Sequence, residues 1–174
     1  MITRLKSAAP DWNAKAYQQF SRLRQRPVNE LLDRVDLHHP KRMVDLGCGT
    51  GIATRLLAER WPQAHLLGID SSAKMLDEAR ALPINASWQQ CDLLDWQPEQ
   101  PADLLFAAAV LHFIDGHETL LPRLLGQLNA GGCLAAHMPD WRDALWYRLM
   151  LETLEDGGVG GTPLGTPELR QRMA

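Results

Sequence analysis

Val44-Asp45-Leu46-Gly47-Cys48-Gly49-Thr50-Gly51 sets three glycines at alternate positions directly behind an apolar run. Ahead of them, Arg42 to Leu46 reads as a short buried strand. Behind them, Ile52, Ala53, Leu56, Leu57 and Trp61 recur at helical spacing until Pro62. Glycine at a strand-to-helix turn lets the backbone bend sharply and lie against a ligand with no Cβ between them. The unpaired N–H groups of the helix start then favour electron-rich ligand atoms.

Working outward, apolar runs of strand length alternate with helical spacings. His65 to Asp70 reads as a second strand, and Ser71 or Ser72 caps a helix through about Arg80 with Met75, Leu76 and Ala79 on one face. Ser87 to Cys91 is a short third strand and Asp103 to Val110 a fourth. His117 to Leu128 is helical, Asn129 to Gly132 a turn, and Cys133 to Met138 a fifth strand. Upstream, Asp11 to Val35 is expected to be helical with an interruption near Pro27, and Asp143 to Leu154 is helical downstream. Continuous apolar strands alternating with helices predict a parallel sheet covered on both faces. The expected fold is an α/β, Rossmann-like doubly wound sheet with five recognisable strands in the order 3-2-1-4-5. Three regions follow: a helical lid segment over 1–40, a nucleoside-binding core over 41–140, and an incomplete helix- and loop-rich region over 141–174.

The glycine spacing separates two classes of ligand. The dinucleotide fingerprint wants Gly-x-Gly-x-x-Gly/Ala, and counted from Gly47 its last position is the bulky Ile52. Gly-x-Gly-x-Gly with an acid two residues earlier, here Asp45, is instead the pattern of methyltransferases that use S-adenosyl-L-methionine. The candidate cofactor set therefore starts with Asp45, Gly47, Cys48, Gly49 and Gly51. Asp70 ends the second strand roughly 20 residues on, where a carboxylate accepts ribose hydroxyls, and Ser71 and Met75 follow it. Asp92 suits an adenine amine and the Leu93 N–H a ring nitrogen, with Asp95 as a rival. Ala109 and His112 end the fourth strand, and ligands of open α/β sheets lie at such carboxyl ends. Ala109 is assigned to the cofactor and His112 to the substrate, against the plainer reading of a packed loop histidine.

Composition bounds the rest. The chain has 174 residues and a formal net charge of -3, which disfavours nucleic acid as a partner. Its one basic concentration, Arg22 to Arg26, reads as a solvated face or an anion clamp. Cys48, Cys91 and Cys133 show no paired spacing, and no metal-ligand set is visible, so no metal is expected. No apolar run approaches the roughly 18 residues that span a bilayer, and the start has no signal-peptide character. A cytoplasmic location and no membrane partner are expected.

With these residues assembled, the chain resembles the trans-aconitate 2-methyltransferase family from about Asp11 to about Trp141. The resemblance rests on the glycine loop and on Asp11-Trp12-Asn13-x-x-x-Tyr17-x-x-Phe20-x-x-x-Arg24-x-Arg26-Pro27, followed by Glu30-Leu31-Leu32-x-Arg34-Val35. Gly68 to Ser72, Trp96 to Gln100 and Met138-Pro139-Asp140 extend it. It implies monomethylation of a carboxylate of trans-aconitate, with the N-terminal segment closing over the cofactor and bringing Trp12, Tyr17 and Arg26 towards the site. The chain departs from the family at Thr50, where Pro is common, and at Ala108 and Leu111-His112-Phe113. The family also continues beyond position 174, through the last two strands of its seven-stranded sheet, which are missing here. Truncation, or a partner that supplies the missing edge, would account for this.

A small polycarboxylate acceptor needs cationic donors, and Arg grips carboxylate through a planar fork. Arg24, Arg26 and Arg142 are the candidates, each weighed against a solvated surface arginine. No catalytic general base is expected, because the acceptor is already ionised. Two alternatives stay open: a methyltransferase acting on another small acceptor, and a non-catalytic remnant or subunit that binds the cofactor, self-associating through the exposed edge of the fifth strand. A nicotinamide oxidoreductase is disfavoured by Ile52.

Overall fold

The computed structural model describes residues 21–140, with side chains from Gln25 onward. All but its last two residues belong to the first of the two units into which the chain divides, Met1–Met138. Trp12, Tyr17 and Arg142 lie outside the described residues, as do the helix expected over 143–154 and the loop-rich tail.

Five strands form one sheet: β1 (Arg42–Leu46), β2 (His65–Asp70), β3 (Ser87–Gln90), β4 (Ala102–Ala108) and β5 (Leu128–His137). Every neighbouring pair is parallel. The order is β3-β2-β1-β4-β5, the expected one, with the chain reversing direction of growth between β1 and β4. Helices α1 (Ser21–Leu32), α2 (Ile52–Arg60), α3 (Ala73–Arg80) and α4 (His117–Leu125) connect or flank the strands.

Two apolar layers explain the apolar stretches Met43-Val44 of β1 and Leu104 to Ala107 of β4. Met43, Leu104, Phe106 and Ala135 join Val28, Leu32, Val35 and Leu57 in one buried cluster. Val44, Leu46, Leu105 and Ala107 join Leu93, Trp96, Leu111, Leu120 and Leu124 in the other. Alternate residues of a strand point to opposite faces, so a strand buried on both sides must be apolar throughout. Arg60 ties the first layer's helices together, donating to the Leu32 and Val35 carbonyls while its guanidinium lies 4.6 Å from the Trp61 ring.

Three departures from expectation have a clear structural cause. Pro27 does not interrupt α1, which runs through it; an internal proline costs about 3 kcal/mol, and burial of Val28 and Leu32 behind it offsets that cost. β4 stops at Ala108 rather than Val110, because Ala109 takes φ 55 and turns the chain out of the sheet. α4 ends at Leu125 and β5 begins at Leu128, so the turn expected at Asn129 to Gly132 is an irregularity inside the strand. Leu128 pairs with Ala102, the Asn129 amide donates to Asp103 Oδ1 at 2.7 Å, and pairing resumes at Leu104 and Cys133. Ser72, rather than Ser71, caps α3 by accepting from the Met75 N–H.

Candidate functional site

The glycine loop follows β1 and is held from two sides. The Cys48 N–H donates to the Ile69 carbonyl at 2.8 Å, and the Gly51 N–H closes the turn onto the Cys48 carbonyl at 2.9 Å. All three glycines have positive φ: 67° at Gly47, 56° at Gly49 and 81° at Gly51. At Gly47 there is a second requirement, since an added Cβ would lie 2.3 Å from the Val110 side chain. Glycine here lets the loop pack directly against the end of β4. At Gly49 an added Cβ would meet nothing within 4 Å among the described residues. On that side no described residue fills the space a nucleoside would need.

Asp70 completes the cradle. Its Oδ2 accepts the Gly49 N–H and its Oδ1 the Ser72 N–H, both at 2.8 Å. Each carboxylate oxygen retains a further lone pair, so both remain able to accept from vicinal hydroxyls. The Cys91 N–H donates to the Asp70 carbonyl at 2.9 Å, which sets the loop after β3 beside the end of β2. In that loop Asp92 is exposed and Leu93 buried. Asp92 Oδ1 accepts the Leu94 N–H at 2.9 Å, shaping a short turn at the rim. From the far side, Arg123 of α4 donates to the carbonyls of Leu93 (2.6 Å) and Trp96, pinning the loop from beneath.

At the end of β4, Ala109 holds its left-handed conformation with its N–H on the His137 carbonyl at 3.0 Å. His112 follows in a short 3-10 turn, Leu111–Phe113, with its ring 3.9 Å from that of Phe113. Burial, with a contribution from His137, pushes the His112 imidazole towards its neutral form.

Asp45 does not offer its carboxylate to a ligand. It is 1% exposed and accepts from Thr54 Oγ1 at 2.6 Å. Burial raises its pKa to about 7; the Thr54 hydroxyl opposes the shift and the charge of Asp70 adds to it. Asp45 therefore buttresses the loop from below. Met75 is likewise buried, in the first turn of α3. Ser71 is exposed and its carbonyl accepts from Gln90 Nε2. Cys48 is buried, and burial together with Asp45 and Asp70 drives its thiol far above the usual range, so it is an inert packing group.

The arginines expected at the substrate are not assembled there by the described residues. Arg26 forms an exposed pair with Glu30 one turn along α1, at 2.8 Å, which is the solvated reading weighed for it. Arg24 lies in α1 ahead of the described side chains.

Sequence reasoning missed Thr54, Arg123 and the placement of His137. Thr54 and Arg123 act through contacts 9 to 30 residues away in the chain, which no local pattern announces. Among the described residues, no helix is long and apolar enough to cross a membrane.

A family model described as a methyltransferase domain matches residues 43–132. The chain is similar to the trans-aconitate 2-methyltransferase of Pseudomonas paraeruginosa (strain DSM 24068 / PA7), with 69% identity over 162 residues, covering 93% of this chain and 59% of that protein. Its counterpart in Azoarcus sp. (strain BH72) is 48% identical over 144 residues, covering 83% of this chain and 57% of that protein. The chain thus spans 59% of the length of the Pseudomonas relative. Among solved structures, an S-adenosylmethionine dependent methyltransferase from Mesorhizobium loti matches with TM-score 0.56 and 29% identity, over 62% of this chain and 50% of that one. A plantazolicin methyltransferase in complex with SAH matches with TM-score 0.59 and 18% identity, over 90% of this chain and 58% of that one. The last likeness bears on the fold alone.

Proposed function

This chain belongs to the methyltransferase-domain family, and from that premise we propose that it binds S-adenosyl-L-methionine and methylates a carboxylate of trans-aconitate or a closely similar small acid. The observation that carries the cofactor is the pairing of an open glycine loop with Asp70 at 2.8 Å. The acid is carried by the 69% identity to a trans-aconitate 2-methyltransferase.

The residues divide the work as follows. Gly47, Gly49 and Gly51 keep the loop flat, so that its backbone lies against the ligand. Asp70 accepts the ribose hydroxyls. The Asp92 carboxylate and the Leu93 N–H face the adenine, on a loop that Arg123 holds in place. Ala109 and Val110 form the floor beneath the reacting centre. Bound S-adenosylmethionine would supply an electrophilic methyl group carried on a sulfonium.

The acceptor needs little help with protons. A free carboxylic acid, with a pKa of about 4, is ionised at neutral pH. A carboxylate oxygen forms the new bond to the methyl carbon as the carbon–sulfur bond breaks, and the sulfonium leaves as a neutral thioether. No proton moves, so no side chain is assigned as a base. The protein's contribution is alignment of two reactants, which supplies about 7–11 kcal/mol when the geometry is near attack.

The test is product mass. The chain is incubated with S-adenosylmethionine and a panel of small acids and amines, and the methyl ester of trans-aconitate is the expected product. Turnover of another panel member without trans-aconitate overturns the acid while keeping the cofactor. Because the chain spans only part of its relatives' length, cofactor binding and turnover are measured separately. Saturable binding without any turnover would favour a cofactor-binding subunit that needs a partner.

A further inference from the structure

Two histidines meet at the carboxyl end of the β4–β5 pair. His137, the last residue of β5, stands opposite Ala108, the last residue of β4. Its carbonyl takes the N–H of Ala109, whose φ of 55° swings the following segment across the strand ends. That segment carries His112. Both side chains are only partly exposed. Among the described residues, His137 Nε2 is shut off from solvent with no hydrogen-bond partner. Burial pushes both imidazoles towards the neutral form, and His137 contributes to the shift at His112, so the rings lie within electrostatic reach.

A buried polar nitrogen without a partner is destabilising, and such a group needs an explanation. The place supplies one. Ligands of a doubly wound sheet lie outside the carboxyl ends of the strands, and the Ala109–Val110 floor lies next to His137. An orphaned ring nitrogen there is a hydrogen-bonding group held ready for a ligand. Among the described residues, His112 and His137 are the hydrogen-bonding side chains that the ends of β4 and β5 bring together here.

We propose that His137, together with His112, forms the carboxylate-recognising end of the acceptor site. The proposal rests on the methyltransferase reading and adds to it a residue that selects an anionic acceptor. Each ring offers an N–H to a carboxylate oxygen. A carboxylate beside them favours the protonated imidazole, and a charge-assisted hydrogen bond is roughly twice as strong as a neutral one. Neither ring takes a proton from the acceptor; both bind and orient it.

The experiment uses the full chain saturated with S-adenosylhomocysteine and titrated with trans-aconitate by calorimetry. His137→Leu is expected to weaken trans-aconitate binding at least tenfold, His137→Gln to recover part of the loss, and the S-adenosylhomocysteine affinity of both to stay within twofold of wild type. Unchanged acid binding in His137→Leu, or cofactor binding that falls in parallel, overturns the proposal. A second measurement needs no variant. At saturating trans-aconitate, the ring C–H resonances of His112 and His137 should move while those of His38, His39 and His65 stay fixed. Stationary His112 and His137 signals overturn it too. Wild-type chain that binds S-adenosylhomocysteine but no acid overturns both this proposal and the choice of a small acid as acceptor. Acid binding that is indifferent to His137 removes this proposal alone.

Discussion

The Gly49 N–H donates to Asp70 Oδ2 at 2.8 Å. The tip of the glycine loop and the end of β2 are thereby one unit, and the same carboxylate that would receive a ribose also holds the loop that would receive the rest of the ligand. Asp70→Ala removes both functions. Hydrogen bonds to a charged group contribute about 1.5–3 kcal/mol, so S-adenosylmethionine affinity should fall about 10- to 100-fold by calorimetry. Asp70→Asn should fall less, because its amide oxygen can still accept from Gly49. Equal affinities for wild type and Asp70→Ala would remove the ribose assignment.

The approach of Val110 to Gly47 gives a prediction about stability. Gly47→Ala meets Val110 head-on and also places Ala at φ 67. Val110→Ala clears the steric conflict but not the backbone cost, which is roughly 1–2 kcal/mol. The double variant should therefore be more stable than Gly47→Ala alone, and less stable than Val110→Ala alone. Denaturant midpoints of the three proteins decide it; strictly additive losses would show that the two residues do not conflict.

Asp45 makes stability depend on pH. Its folded pKa of about 7 lies above the ordinary carboxyl value, so the folded chain keeps a proton that the unfolded chain releases near pH 4. Its contribution is most favourable at the acid end and is lost progressively as pH rises towards 7, then levels off. At about 1.4 kcal/mol per unit, the ceiling on this loss is about 4 kcal/mol. Asp45→Asn lacks the titration. The stability difference, variant minus wild type, should grow in the variant's favour between pH 5 and pH 8. Histidine titrations occur in both proteins and cancel in the difference. Parallel profiles would contradict the buried assignment.

Arg123 reaches across from α4 to two carbonyls of the loop after β3. Arg123→Met keeps the stem and removes both donors. The loop should then loosen, with faster amide exchange at residues 92–96 and a several-fold loss of cofactor affinity. The glycine-loop amides should stay protected. Uniform loss of protection would instead mark Arg123 as a general stability residue.

The sheet order and the glycine loop were legible in the chain because both follow from local patterns. A strand buried on two faces must be continuously apolar, as Leu104 to Ala107 is, and a turn at positive φ favours glycine. The features that eluded the pattern depend on distant partners. Pro27 reads as a break until Val28 and Leu32 are seen in the core. Asn129 to Gly132 reads as a simple turn until Asn129 is seen fastened to Asp103. Asp45 looks like a ligand group by position, and only the Thr54 hydroxyl behind it shows that the carboxylate points inward. Arg26 was grouped with the substrate by its charge, whereas Glu30 one turn away already occupies it.

The most direct test of the central claim is a titration of the isotope-labelled chain with S-adenosylhomocysteine, followed at the backbone amides. The account predicts saturable shifts at Gly47, Gly49, Gly51, Asp70, Asp92, Leu93 and Ala109, all with one dissociation constant. A protein whose glycine-loop and Asp70 amides do not move at saturating ligand, or whose shifts cluster elsewhere, would contradict it.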